Sequence, residues 1–152
     1  MLSFWWVRHA PVINNNNCCY GDNEVECDTS NKVDFINLVD SLPKNAQVFT
    51  SPLSRAKETF KASVKTGYKY DTCFEDPRLK EQNIGEYAGM KYAELYKLTK
   101  RIGVNSSYWL MEETHTPPKG ESFIQLNERV TEFLNEKILN FNQGNIVLFS
   151  HG

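Results

Sequence analysis

At 152 residues, 40% of them hydrophobic and 24% charged, the chain has the length and make-up of one folded domain rather than a disordered segment. Seventeen Lys and Arg against nineteen Asp and Glu leave a net charge of −2, no general field for nucleic acid or an anionic membrane, so any anion site has to be local. The longest apolar runs, residues 4–7 and 146–149, are far short of a bilayer span, and Arg8 and His9 follow too soon for a signal peptide. A cytoplasmic protein that binds neither nucleic acid nor membrane is expected.

Residues 2–7 form a continuous apolar run ending in charge, the pattern of a parallel strand buried on both faces. A polar, Asn-rich loop follows. Asp28 or Thr29 then reads as the N-cap of a helix over Val33, Ile36, Leu38, Val39 and Leu42, stopped by Pro43. Residues 47–50 form a short strand, Ser51-Pro52 breaks it, and a helix runs from Leu53 to about Val64. A third strand is expected at 70–74, and a helix over 87–101 on the spacing of Tyr92, Leu95, Tyr96 and Leu98. After a loop rich in Thr and Pro, residues 121–141 read as a long amphipathic helix carrying Phe123, Leu126, Val130, Phe133, Leu134, Ile138 and Phe141 on one face. Residues 145–149 form the last strand.

Strands alternating with helices predict a single α/β domain over 1–152, a three-layer sandwich with a mostly parallel sheet. A strand as apolar as 146–149 wants helices on both faces and another after it, yet the sequence stops at Gly152. The expectation is a chain truncated at its C-terminus, lacking a helix and a further strand and poorly stable with its last strand uncovered. The four cysteines form no C-x-x-C pair, so Cys18, Cys19, Cys27 and Cys73 read as small, partly buried thiols rather than a metal site or a disulfide framework.

Three polar signatures stand where predicted strands end: Arg8-His9-Ala10, Ser51-Pro52-Leu53-Ser54-Arg55, and Ser150-His151-Gly152. In open α/β sheets ligands bind beyond the carboxyl ends of strands, so segments far apart in sequence converge there. Lysine is the routine cation, twelve against five arginines, yet both strand-end cations are Arg; two of the three histidines sit there as well. The planar guanidinium fork matches phosphate oxygens, and two arginines with two imidazoles suit a phosphoryl dianion.

The chain resembles the histidine phosphatase superfamily, the phosphoglycerate mutase-like proteins, from Phe4 to Gly152. The family's R-H-G motif stands here as Arg8-His9-Ala10, with a departure at the third position. S-P-x-x-R-A-x-x-T is intact from Ser51 to Thr59, L-x-E-x-x-x-G-x-x-x-G runs from Leu79 to Gly89, P-x-G-E-S runs from Pro118 to Ser122, and S-H-G closes the chain.

The resemblance implies a phosphoglycerate mutase-like fold and a phosphatase that needs no metal and no other cofactor. His9 would attack phosphorus, with its other ring nitrogen held by a backbone carbonyl. Arg8, Arg55 and His151 would hold the phosphoryl oxygens, and Glu81 would serve as general acid and base. Asn15 and Gly152 are candidate substrate contacts, although a run at 14–17 and fifteen asparagines in all make Asn15 an easy match.

Glu121 and Ser122 read either as a helix cap or as substrate contacts. His115 reads as a solvent-exposed loop residue, and Tyr108 and Trp109 as packing for the loop. Glu81 and His151 are only 70 positions apart, which favours a small phosphomonoesterase over a mutase with its longer insertion. Cys19-Tyr20-Gly21, with Pro11 beside the nucleophile, is similar to the α-ribazole phosphatase branch. The expected substrate is a small phosphorylated metabolite, with α-ribazole 5′-phosphate a candidate. A phosphoglycerate mutase-type transfer and, because of Ala10, a non-catalytic phosphate-binding module are the alternatives.

Overall fold

A computed structural model describes residues 1–107 and 109–152; the expectation for Tyr108 lies outside the described residues. In chain order the elements are β1 (Leu2–Arg8), α1 (Lys32–Ser41), β2 (Ala46–Thr50), α2 (Ser54–Thr66), β3 (Tyr70–Glu75), α3 (Tyr92–Arg101), α4 (Phe123–Asn140) and β4 (Gly144–Ser150). Two short 3-10 turns, Pro77–Leu79 and Gly85–Tyr87, lie between β3 and α3. The strands form one all-parallel sheet in the order β1-β4-β2-β3.

Period-two alternation along the strands divides the core between the two faces of this sheet. On one side Val7, Val48, Val147 and Phe149 meet Leu38 and Leu42 of the α1 segment and Phe60 of α2. On the other, Phe49, Ile146 and Leu148 pack on Leu79 and on Phe133 of α4. The result is the expected three-layer sandwich. A third cluster (Cys19, Ile84, Tyr87, Leu95 and Met111) ties α3 and the long loops together.

The last strand is not uncovered, as the sequence suggested. β4 lies inside the sheet between β1 and β2, and Ile146, Val147, Leu148 and Phe149 are at most 1% exposed. The strands with an open side are the two at the sheet edges, β1, where Trp5 and Trp6 are exposed, and β3, where Tyr70 and Phe74 are. Periodicity identifies a strand buried on both faces; it carries no information on the order in which strands pair. Among the described residues, no helix is long and apolar enough to cross a membrane.

Local chemistry moved several boundaries. Asn31, not Asp28 or Thr29, caps α1: its Oδ1 accepts from the amides of Val33 and Asp34, while Asp28 closes a turn on Ser30. The helix expected from residue 87 starts at Tyr92. Before it Tyr87 closes a 3-10 turn and Gly89 reverses the chain, after which Lys91 pairs antiparallel with Cys18 and the Cys19 amide donates to the Met90 carbonyl at 2.8 Å. Ser122 is the N-cap of α4, in a reciprocal capping box with Gln125.

The stretch after Glu81 and the stretch before α4 are zipped backbone to backbone. Glu86 N–H donates to Pro118 O at 2.9 Å, and Glu121 N–H donates to Asn83 O at 2.7 Å. This closeness requires two glycines. A Cβ on Gly85 would stand 2.0 Å from Pro118 O, and one on Gly120 would stand 2.5 Å from Asn83 O; Gly85 also has φ +52°. Gly89 has φ +87° but open space around its missing Cβ. Gly85→Ala is therefore expected to destabilise the fold by about 2–4 kcal/mol and Gly89→Ala by about 1 kcal/mol, read as the difference in urea midpoints at constant slope.

Candidate active site

Strand register brings the three signatures together. Arg8 pairs with Ser150 and Thr50 with Phe149, so β1, β4 and β2 end at one level. His9 N–H donates to Ser150 O at 3.0 Å, and Ser51 N–H donates to Phe149 O at 2.9 Å. The His9 and His151 rings then lie 5.3 Å apart between centroids.

His9 is 6% exposed, with Nδ1 2.8 Å from the carbonyl oxygen of Ala10. A carbonyl only accepts, so Nδ1 carries the proton and Nε2 keeps its lone pair. Nε2 is buried and has no hydrogen-bond partner among the described residues. Burial lowers the His9 pKa, the Ala10 carbonyl opposes this, and the nearby Arg55 and Arg8 lower it further.

The motif around α2 supports this ring. Thr59 Oγ1 accepts the Ala10 amide at 2.8 Å and donates to the Arg55 carbonyl at 2.7 Å. Ala10, where the resemblance calls for glycine, is not among the positive-φ residues, so its backbone does the job with a Cβ present.

Arg55 is 0% exposed in the first turn of α2. Two of its five N–H donors go to backbone carbonyls, Nη1 to Asn23 at 2.8 Å and Nη2 to Gly21 at 2.9 Å. Its Nε is buried and unpartnered among the described residues, and its guanidinium lies 5.1 Å from the centre of the Tyr20 ring. Arg8 is exposed and runs alongside Gly152, whose missing Cβ would come within 3.0 Å of Arg8 Cδ. Arg8, Glu81, Gln82 and Gly152 line a cleft of about 70 Å³.

His151 is held by a relay. Leu53 N–H donates to Ser51 Oγ at 3.3 Å, and Ser51 Oγ lies 2.8 Å from His151 Nε2. The hydroxyl proton is free to go to Nε2, which leaves His151 Nδ1 protonated, buried and without a partner among the described residues. Burial first, then the electrostatic influence of Arg55, His9, Arg129 and Arg8, pushes the His151 pKa down to about 2. Its 3.9 Å approach to Glu81 Oε2 is thus a contact with a neutral imidazole, not an ion pair.

Glu81 is pushed the other way. Burial raises its pKa, while the Gln82 amide on Oε1 at 3.0 Å and the positive charges of Arg55, Arg8 and Arg129 pull it back. One donor atom each from His9, Glu81 and His151 lies within 4.8 Å of the others, a set that zinc also uses. Arg8 and Arg55, which act on both His9 and Glu81, oppose a cation there and favour a tetrahedral anion.

Asn15 is not brought to this site: it is exposed, and its side chain accepts the Asn17 amide at 3.1 Å. His115 is not a free loop residue, since its Nε2 meets Tyr87 Oη at 3.1 Å and the rings stack at 12°. Cys27 Sγ faces the Arg55 carbonyl at 3.6 Å, and all four cysteines are free thiols.

Sequence reasoning missed Arg129. Its guanidinium grips Glu121 through Nε at 3.0 Å and Nη2 at 2.6 Å, and donates to the backbone carbonyls of Arg78 and Glu81. Glu121 accepts the Asn83 amide at 3.0 Å as well. Glu121 therefore locks the loop that carries Glu81; the helix cap is Ser122. The scarcity of arginine was the available signal, but Arg129 sits mid-helix rather than at a strand end.

The fold and site define a phosphoryl-handling protein with a buried, unprotonated imidazole nitrogen. The family model of the histidine phosphatase superfamily (branch 1) matches residues 4–152, and the chain belongs to that superfamily. It has the phosphoglycerate mutase-like fold and is a phosphoric monoester hydrolase. Similar solved structures include a provisionally assigned alpha-ribazole-5′-P phosphatase from Escherichia coli, at 21% identity and TM-score 0.72, covering 97% of this chain and 72% of that one. TTHB049 from Thermus thermophilus is 25% identical with TM-score 0.71, covering 98% and 78%. The mycobacterial glucosyl-3-phosphoglycerate phosphatase Rv2419c is 19% identical with TM-score 0.74, covering 97% and 72%. The curated proteins contain no match.

Two outcomes are expected from the His151 relay. Ser51→Ala should lower kcat/KM for phosphate release by about tenfold, and Ser51→Thr should restore most of it in steady-state assays. Because native His151 stays neutral down to about pH 2 while the unfolded residue binds a proton below about 6.5, stability should fall as pH drops through that window. Thermal melts from pH 7 to pH 4 should show a shallower decline in His151→Gln.

Proposed function

We propose that the chain is a metal-independent phosphomonoesterase acting through a phosphohistidine at His9 on small phosphorylated metabolites. The observation that carries this reading is the buried Nε2 of His9, without a hydrogen-bond partner among the described residues and held unprotonated because Nδ1 is committed to the Ala10 carbonyl. The Nε2 lone pair forms a bond to phosphorus as the ester P–O bond breaks, and the departing alkoxide takes the Glu81 proton. Water then attacks the phosphohistidine and gives its proton to Glu81. The N–P bond electrons return to Nε2, and phosphate leaves.

Arg8, the free donors of Arg55 and the Nδ1–H of His151 hold the phosphoryl oxygens throughout. Gly152 leaves room for Arg8 to lie flat against the cleft. The raised Glu81 pKa supports its role as the acid of the first step.

α-Ribazole 5′-phosphate is the candidate substrate. The Cys19-Tyr20-Gly21 element lines the cleft, and the Escherichia coli structure described above bears that provisional assignment. The mutase alternative requires a second cation for the substrate carboxylate, and Arg8 is the sole cation among the described residues lining the cleft. The non-catalytic alternative rested in part on Ala10, whose carbonyl meets His9 Nδ1 and whose amide is tied to Thr59.

His9→Ala should lose at least about a thousandfold in kcat and yield no acid-labile phosphoenzyme; a labelled intermediate in that variant would remove His9 from the role. Glu81→Gln should cost about a hundredfold or more on alkyl phosphates and far less on p-nitrophenyl phosphate, whose leaving group needs no proton. Wild-type kcat on alkyl esters should fall as pH rises through the elevated Glu81 pKa, and that alkaline limb should vanish in Glu81→Gln. Equal losses on both ester types would sink the acid assignment.

A further inference from the structure

We infer that the mouth of the cleft selects phosphate esters whose alcohol carries a flat ring, held by Tyr20, Tyr92 and Trp109. The inference rests on the phosphatase reading and goes beyond it in naming the substrate class. At about 70 Å³ the cleft, lined by Arg8 and Glu81 of the site, lies well below the roughly 300 Å³ at which whole-metabolite pockets begin, so it cannot enclose the whole ester and the alcohol stands at its rim.

Three aromatic side chains from separate segments line that same cleft: Tyr20 after β1, Tyr92 at the start of α3, and Trp109 in the loop beyond α3. Trp109 is 50% exposed and Tyr92 40%, so each leaves a large part of its ring open to solvent. Trp109, expected to pack its own loop down, keeps half of its surface open. Met111, 2% exposed among Cys19, Ile84, Tyr87 and Leu95, anchors the loop instead.

The rim is pre-ordered. Tyr92 N–H donates to Asn17 O at 3.0 Å, and Glu112 N–H donates to Val104 O at 2.8 Å across the base of the Trp109 loop. Tyr20 is steadied by the Arg55 guanidinium over its ring. Rigid aromatic faces bind a planar ring with little ordering cost. Arg8 and Glu81 are the only charged side chains among the described lining residues, so a charged alcohol finds no partner beyond those that serve the phosphoryl group.

The test compares 2-phenylethyl, 2-cyclohexylethyl and ethyl phosphate on the full chain, three esters whose leaving alcohols have nearly equal acidity. The phenyl ester should show a KM about tenfold below the ethyl ester, with the cyclohexyl ester clearly weaker than the phenyl one. Trp109→Ala should raise the phenyl KM by about threefold to tenfold at unchanged kcat and leave ethyl phosphate within about twofold, and Trp109→Phe should recover most of the loss.

Equal KM values for the three esters, or an equal effect of Trp109→Ala on all of them, would overturn the inference. Calorimetric binding of 2-phenylethylphosphonate against ethylphosphonate reads the same preference without turnover. Ring preference in binding with no hydrolysis of any ester rejects the phosphatase reading and keeps the rim. Hydrolysis without preference does the reverse.

Discussion

One proton decides what this site can do: the one on His9 Nδ1, held by the carbonyl of Ala10. While it stays there, Nε2 presents a buried lone pair that has no hydrogen-bond partner among the described residues. Burial first, and then Arg55 and Arg8 nearby, make a second proton on the ring unfavourable. The carbonyl is itself held, since the Ala10 amide is bonded to Thr59 and Thr59 is bonded back to the first turn of α2. Strand, loop and helix thus fix one tautomer of one ring.

The same logic recurs around the other reacting groups. His151 is oriented by Ser51, which is oriented by the Leu53 amide at the start of α2. Glu81 rides on a loop clamped from outside by the Glu121–Arg129 pair and pressed against the 118–121 stretch at two glycines. These supports use backbone groups and short side chains, whose conformational freedom is small, so the site is ordered at modest entropic cost. Charge then follows from position: burial beside two arginines keeps both imidazoles neutral, and burial of Glu81 outweighs those same arginines and favours its protonated form.

Much of the fold could be read directly. Period-two and period-3.6 patterns located all four strands and four helices, with boundary errors wherever a loop side chain or backbone pairing competed with the pattern, as at Asn31 and at residues 87–91. The strand-end residues Arg8, His9, Arg55 and His151 were visible because rare residue types stood at places where an α/β sheet assembles its ligand site. Asn15 carried a weaker signal for the opposite reason: asparagine is common here, and the side chain of this one accepts the Asn17 amide in a local turn. Arg129 escaped because a mid-helix arginine looks the same whether it meets water or a loop brought in from 48 residues away.

By itself, then, the sequence determined the periodicities, the three-layer class and the chemical identity of the groups at the strand ends, because these depend on residue type and short-range spacing. Only the tertiary structure decided that β4 lies between β1 and β2, and hence which strand is covered and that two histidine rings 142 positions apart face each other. It also decided the tautomers of those rings, the direction of the Glu81 shift and the exposure of Trp109 at the cleft mouth. Tautomer, pKa and exposure are set by what surrounds a side chain, and in a parallel sheet those surroundings come from distant parts of the chain.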